Sequence, residues 1–169
     1  MDSETYERYF DTLDRELQAA IREEWGEPPS SPVEIPGIEL GNVVVTVQPP
    51  RGFEADPEKI YHDSALQPPH EYVAAYSWLR EDFDADAVVH LGTHGSLEWL
   101  PGKTVGLDAE SAADGLLADL PNVYPYIINN PGEGAQATRR SYATIVDHLT
   151  PPMRPAGTYE DLATLEEMV

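Results

Sequence analysis

The chain contains no cysteine, which excludes disulfides and thiolate metal sites and fits a reducing cytoplasm. Basic residues are scarce: ten Lys and Arg stand against 31 Asp and Glu, for a net charge of −21, and Lys59 and Lys103 are the two lysines. Such a surface repels phosphate backbones, so the composition argues against nucleic-acid binding. No apolar run reaches the roughly 18 residues that span a bilayer, so no membrane insertion is expected. The opening MDSETYERYFD lacks the basic and apolar regions of a signal peptide, which again gives a cytoplasmic expectation. A nucleotide-binding motif is missing too. Gly102-Lys103-Thr104 resembles the end of a phosphate loop, but the position that must carry its first glycine is Leu97. Ser96 is no nucleophile elbow, because His94 and Glu98 stand where that turn needs glycines.

At 169 residues the chain can bury one sizeable core. Its acid is unevenly spread. Residues 1–27 carry nine acidic and three basic side chains, whereas 121–153 are neutral, with Glu133 and Asp147 against Arg139 and Arg140. Two readings of the acidity stay open: a halophile, whose salt would screen the self-repulsion, or a partner that carries the balancing charge.

The apolar periodicity predicts a helix over 4–25, in which Tyr6, Tyr9, Phe10, Leu13, Leu17 and Ile21 recur at spacings of three and four. Gly26 ends it, and a Pro/Ser connector runs to Pro36. The near-continuous Val run of 42–47 predicts a strand buried on both faces, with Gln48 and Arg51 at its carboxyl end as candidate ligand-binding residues. Residues 54–69 read as a loop with one helical turn near Glu58–Tyr61, and His62 and Asp63 as a solvated pair. A helix over 70–83, a strand over 87–91, a short helix over 108–119 and a strand over 122–128 follow, Pro125 pointing to an edge or a bulge. A helix over 136–149 and an acidic amphipathic segment over 159–168 complete the chain. The expected fold is α/β, a mostly parallel sheet of about three strands with flanking helices and functional loops at the strands' carboxyl ends. The domain expectation is an N-terminal helix and connector over 1–36, an α/β domain over 37–153 and an acidic tail over 154–169.

Chemistry concentrates in HLGTHGSLEWLPGK, residues 90–103. His90, His94 and Glu98 recur every four residues, with Gly92 and Gly95 leaving the backbone free to coil. Two imidazoles and a carboxylate suit a transient divalent-ion site, and the same groups suit proton acceptance. A small His/Glu metal hydrolase is therefore one reading, and a non-catalytic interaction module another. Lys103 is a candidate cation for an anionic ligand. The loop 129–134 precedes a helix whose backbone N–H groups suit a carboxylate, and Arg139 and Arg140, read as on its first turns, suit bidentate carboxylate binding.

QPPRGF at 48–53, HLGTHGSLEWLPGK at 90–103 and LPNVYPYIINNPGEGAQATRRSYATIVDHLTPP at 120–152 resemble the large subunit shared by cobaltochelatase (the CobN type) and magnesium chelatase (the H subunit). The resemblance runs in register from about Gly41 to Pro152 and covers a small central part of proteins exceeding a thousand residues. It implies insertion of a divalent ion, Co2+ favoured over Mg2+, into a corrin or porphyrin in cobalamin or chlorophyll biosynthesis. It further implies that ATP is hydrolysed on separate AAA+ subunits and not bound here, and that the remainder of the large subunit is a partner. The positions it carries over are His90, His94 and Glu98, and Asn129, Asn130, Glu133, Arg139 and Arg140.

Overall fold

The computed structural model describes residues 1–52, 63–92, 95–126 and 131–147. The turn near Glu58–Tyr61, His62, His94, Asn129, Asn130, the segment 159–168 and the side chain of Glu133 lie outside the described residues.

The N-terminal apolar stripe forms two helices rather than one, α1 (Ser3–Phe10) and α2 (Arg15–Trp25). Asp2 caps the first through Thr5 N at 2.8 Å, and Asp14 caps the second through Glu16 N at 2.8 Å. An Asp four residues after Phe10 thus restarts the helix, a boundary that the unbroken 3.6-residue spacing conceals. Gly26, at φ +83°, closes α2 in a conformation open chiefly to glycine. Tyr6, Phe10, Leu13, Leu17 and Ile21 all enter the main core, so these helices pack into the body of the molecule.

Residues 42–47 are not a central strand. β1 (Gly37–Leu40) and β2 (Val43–Thr46) pair antiparallel, Ile38 opposite Val45 and Leu40 opposite Val43. Gly41, at φ +68°, opens the two-residue loop between them. The valines therefore lie on a hairpin with an exposed face.

α3 (His70–Glu81) lies across the core with Tyr72, Val73, Ala74 and Tyr76 buried. His70 fastens three elements together. Its Nε2–H donates to the Gly26 carbonyl at 3.0 Å, which leaves Nδ1 to accept the Tyr6 hydroxyl at 2.7 Å. Next come β3 (Val88–Val89), a 3-10 turn (Leu97–Trp99), α4 (Ala112–Leu117), β4 (Asn122–Tyr126), α5 (Pro131–Arg140) and β5 (Thr144–Asp147). The sheet is α/β in kind: three parallel strands in the order β3-β4-β5, Val88 beside Asn122 and Val123 beside Thr144.

Two expectations for this sheet are corrected. The helix placed at 136–149 ends at Arg140, and Tyr142, at φ +50°, turns the chain into β5. Three consecutive β-branched residues, Thr144, Ile145 and Val146, favour a strand there. Pro125 lies in the central strand β4, not at an edge. It is tolerated because the pairing with β3 stops short of it, at Val123, whose carbonyl takes the His90 N–H at 2.8 Å. Pro125 faces that same vacated side two residues on, where no ladder bond is lost.

Candidate active site

His90 leaves the end of β3 with both ring nitrogens engaged. Asn122, at the start of β4, places Oδ1 2.7 Å from His90 Nδ1 and donates Nδ2 to the Ser141 carbonyl at 2.8 Å. The second bond fixes the orientation of the amide, so Oδ1 is the acceptor and Nδ1 of His90 carries the proton. Nε2 then presents a lone pair, which receives the Tyr76 hydroxyl at 2.8 Å. Gln48 supports this arrangement: Nε2 reaches the hydroxyls of Tyr76 at 2.7 Å and Tyr72 at 2.9 Å, while Oε1 accepts from Ser96 N at 2.8 Å. Tyr72 in turn meets Ser96 Oγ at 2.9 Å. Burial lowers the His90 pKa below its usual value, against smaller raising effects of the Asn122 bond and the Glu98 charge, and so favours the neutral ring.

Glu98 is fully buried within the 3-10 turn. Its carboxylate accepts the Tyr124 hydroxyl at 2.6 Å and the Gly95 amide at 3.2 Å, and among the described residues no cation pairs with it. Tyr124 stands two residues after Asn122, on the same face of β4. Its ring stacks on His90 with centroids 4.8 Å apart. Burial, then the adjoining Glu98 charge, hold its phenol well above the ordinary range, so it remains a proton donor to the carboxylate.

Gly95 is wedged into this cluster. A Cβ there would sit 2.4 Å from Tyr124 Oη, 3.3 Å from Glu98 Oε2 and 3.4 Å from His90 Cδ2. The imidazole and carboxylate therefore lie within about 7 Å of each other, separated by a glycine backbone. A cleft of about 280 Å3 opens beside them, lined by Gln48, Tyr76, His90 and Gly95 together with Val47 and Val89.

The other sequence candidates are dispersed. Gln48 belongs to the cluster, by contacts that the sequence does not display. Arg51 is buried, and its Nη2 holds the carbonyls of Asp63 at 2.7 Å and Leu66 at 3.0 Å. Lys103 is exposed and paired with Asp108, which raises its pKa, in a surface recess apart from the His90 cleft. Arg139 and Arg140 occupy the last turn of α5, not its first turns, because the helix begins at Pro131. Arg140 is buried with Nη2 on the Leu100 carbonyl at 2.6 Å, and Arg139 is exposed. With His94 outside the described residues, His90 and Glu98 are the part of the proposed ion-binding trio that can be placed, and no cluster of three or more such ligands occurs among the described residues. Asn122, Tyr124, Tyr76, Tyr72 and Ser96 are the residues missed by sequence reasoning. The i, i+2 polar pair within NVYPY and the i, i+4 tyrosines of α3 were their signals, and both read equally well as packing.

The family model for CobN/magnesium chelatase matches residues 1–169. The chain belongs to this family. It is 48% identical over 165 residues to the aerobic cobaltochelatase subunit CobN of Pseudomonas aeruginosa, covering 94% of this chain and 13% of that protein. Over 170 residues it is 39% identical to the magnesium-chelatase large (H) polypeptide of Chlorobaculum parvum, covering 96% of this chain and 13% of that one. A solved structure, the catalytic subunit of cobaltochelatase from Mycobacterium tuberculosis, superposes with a TM-score of 0.78 at 46% identity, across 99% of this chain and 16% of that one. The chain thus spans about an eighth of the length of these curated relatives. No helix among the described residues is long and apolar enough to cross a membrane.

Proposed function

We propose that the chain forms the metal-transfer wall of a macrocycle cleft in the large subunit of an ATP-dependent chelatase. The substrates are a divalent ion and a corrin or porphyrin ring. The cobalt branch is favoured, narrowly: the cobaltochelatase relatives are 43–48% identical and the magnesium-chelatase relatives 39–44%. One observation carries the reading. A neutral imidazole whose Nε2 lone pair borders an apolar cleft lies within about 7 Å of a buried carboxylate that pairs with no cation among the described residues, on either side of Gly95.

Metal insertion has to remove two protons from ring nitrogens and deliver an ion in their place. His90 Nε2 is the first acceptor on the cleft wall, once the Tyr76 hydroxyl proton turns away from it. Glu98 is the second acceptor and a carboxylate ligand for the incoming ion, with His94 as a further candidate for either role. The apolar lining, Val47 and Val89 included, suits a flat aromatic ring better than a small polar substrate. Asn129, Asn130 and Arg139 remain candidate contacts for ring carboxylates, and Glu133 remains a candidate substrate contact. ATP hydrolysis falls to AAA+ partner subunits.

Absorbance titration of a metal-free corrin or porphyrin against the wild-type chain and the His90→Ala and His94→Ala variants tests the reading. A shifted ring band is expected, with affinity lowered at least about tenfold in the variant whose imidazole touches the ring. Affinity and insertion rate unchanged in both variants would remove the imidazoles from the site.

A further inference from the structure

The β1–β2 hairpin carries a surface that the cleft does not use. Paired residues of an antiparallel hairpin share a face, so Ile38, Leu40, Val43 and Val45 project to one side, with Val47 continuing the row. All five are between 56% and 79% exposed. No charged residue interrupts them: Glu39, the one ionisable group of the hairpin, points the other way, and Val44 and Thr46 on that other side are half-buried. A two-stranded hairpin is marginal in water unless one face is covered, and soluble monomers seldom expose continuous apolar patches of this kind.

The row does not stop at the hairpin. Val47 also lines the cleft, and so do Val89 and Leu91, 60% and 85% exposed. The apolar strip therefore leads along β2 to the mouth of the His90 cleft. A protein docked on it would form the opposite wall of that cleft.

We infer that this strip is the docking surface for the remaining polypeptide of the chelatase large subunit, which covers the hairpin with an apolar face of its own and encloses the cleft. The inference rests on the chelatase reading of the chain. Two observations select this occupant over a second copy. Relatives and solved neighbour place the matching segment as 13% to 16% of a much longer protein, so in them most of the polypeptide lies outside it. Two copies would also bring net charges of −21 together, which repel at ordinary ionic strength.

The test grafts this chain in place of the matching segment of the Pseudomonas aeruginosa protein and follows amide hydrogen exchange over 37–47, with no ring or metal present. A failure is thereby kept separate from a failure of ring binding. Exchange should slow at least about tenfold in the graft relative to the chain alone, and Val45→Glu should abolish that protection. Equal exchange in the two would overturn the inference. The isolated chain provides an independent check. Val45→Glu should leave its melting temperature within about 2 °C of wild type, as at any uncovered site. A loss comparable to that of Leu116→Glu in the core would mean the chain covers the face itself, and the inference fails. Light scattering should show a monomer; a dimer undone by Val45→Glu would assign the surface to a second copy and equally overturn it.

Discussion

Asn122 gives His90 a single acceptor, and that bond decides which imidazole nitrogen faces the cleft. Replacing it by Leu leaves the part-buried Nδ1–H without a partner, at a cost of about 1–3 kcal/mol. The ring should then switch tautomer and donate from Nε2 to Tyr76, visible as exchanged ring-nitrogen shifts in 15N NMR; unchanged shifts would show that Asn122 does not set the tautomer. Gly95→Ala drives a methyl into Tyr124 Oη, 2.4 Å away. A destabilisation of about 1–3 kcal/mol is expected in denaturant titration, with the Tyr124–Glu98 bond broken; a neutral effect would mean that the cluster is loose. The lowered pKa of His90 has a stability consequence. The native chain keeps this ring neutral where the unfolded chain protonates it, so its contribution is full above the ordinary pKa of 6.5 and is lost as pH falls toward the depressed native value. Wild type should therefore lose more stability than His90→Gln between about pH 6.5 and 5.5. Parallel curves would contradict the half-buried neutral imidazole.

At the scale of elements, Asp14 separates two helices that periodicity joins. Asp14→Ala should cost about 0.5–2 kcal/mol in chemical denaturation, and an unchanged midpoint would deny it the cap. The elements legible in the sequence were those with one unambiguous period: α3, the Ala/Leu-rich α4, and the strands that begin at Val88 and Asn122. Hydrophobic spacing failed where capping or turn chemistry competed with it. Asp14 was read as a charge between apolar positions, Gly41-Asn42 was not read as a hairpin loop, and Tyr142, Ile145 and Val146 fit a helical face as well as a turn and strand. The candidate site was legible as far as His90 and Glu98, because their residue types advertise chemistry. Asn122 and Tyr124 became visible only once β4 lay beside β3, since nothing local distinguishes a strand residue that orients a neighbouring imidazole from one that packs. The arginine pair misled for a related reason: displacing the helix start from Pro131 to Gln136 moved Arg139 and Arg140 from the last turn to the first.

The whole molecule carries −21 charges on 169 residues, and their repulsion opposes folding. Raising salt from 0.1 to 1 M shortens the Debye length from about 10 to 3 Å, so the melting temperature should rise with NaCl. A flat or falling curve would show that the acid is dispersed widely enough to need no screening. The molecule also juxtaposes two unlike surfaces, a polar cluster set by β4 and an apolar strip leading from the hairpin to the same cleft. We propose that the first holds the proton acceptors and that the second takes the remaining polypeptide, which encloses the cleft. Substituting Glu98 separates insertion from ring binding. In a complex reassembled with the proposed AAA+ subunits and the proposed remainder of the large subunit, the decisive quantity is the initial rate of Co2+ insertion by Glu98→Gln. That rate should fall at least about a hundredfold while ring affinity stays within about threefold. A rate within threefold of wild type would show that this carboxylate neither accepts the ring protons nor hands over the ion.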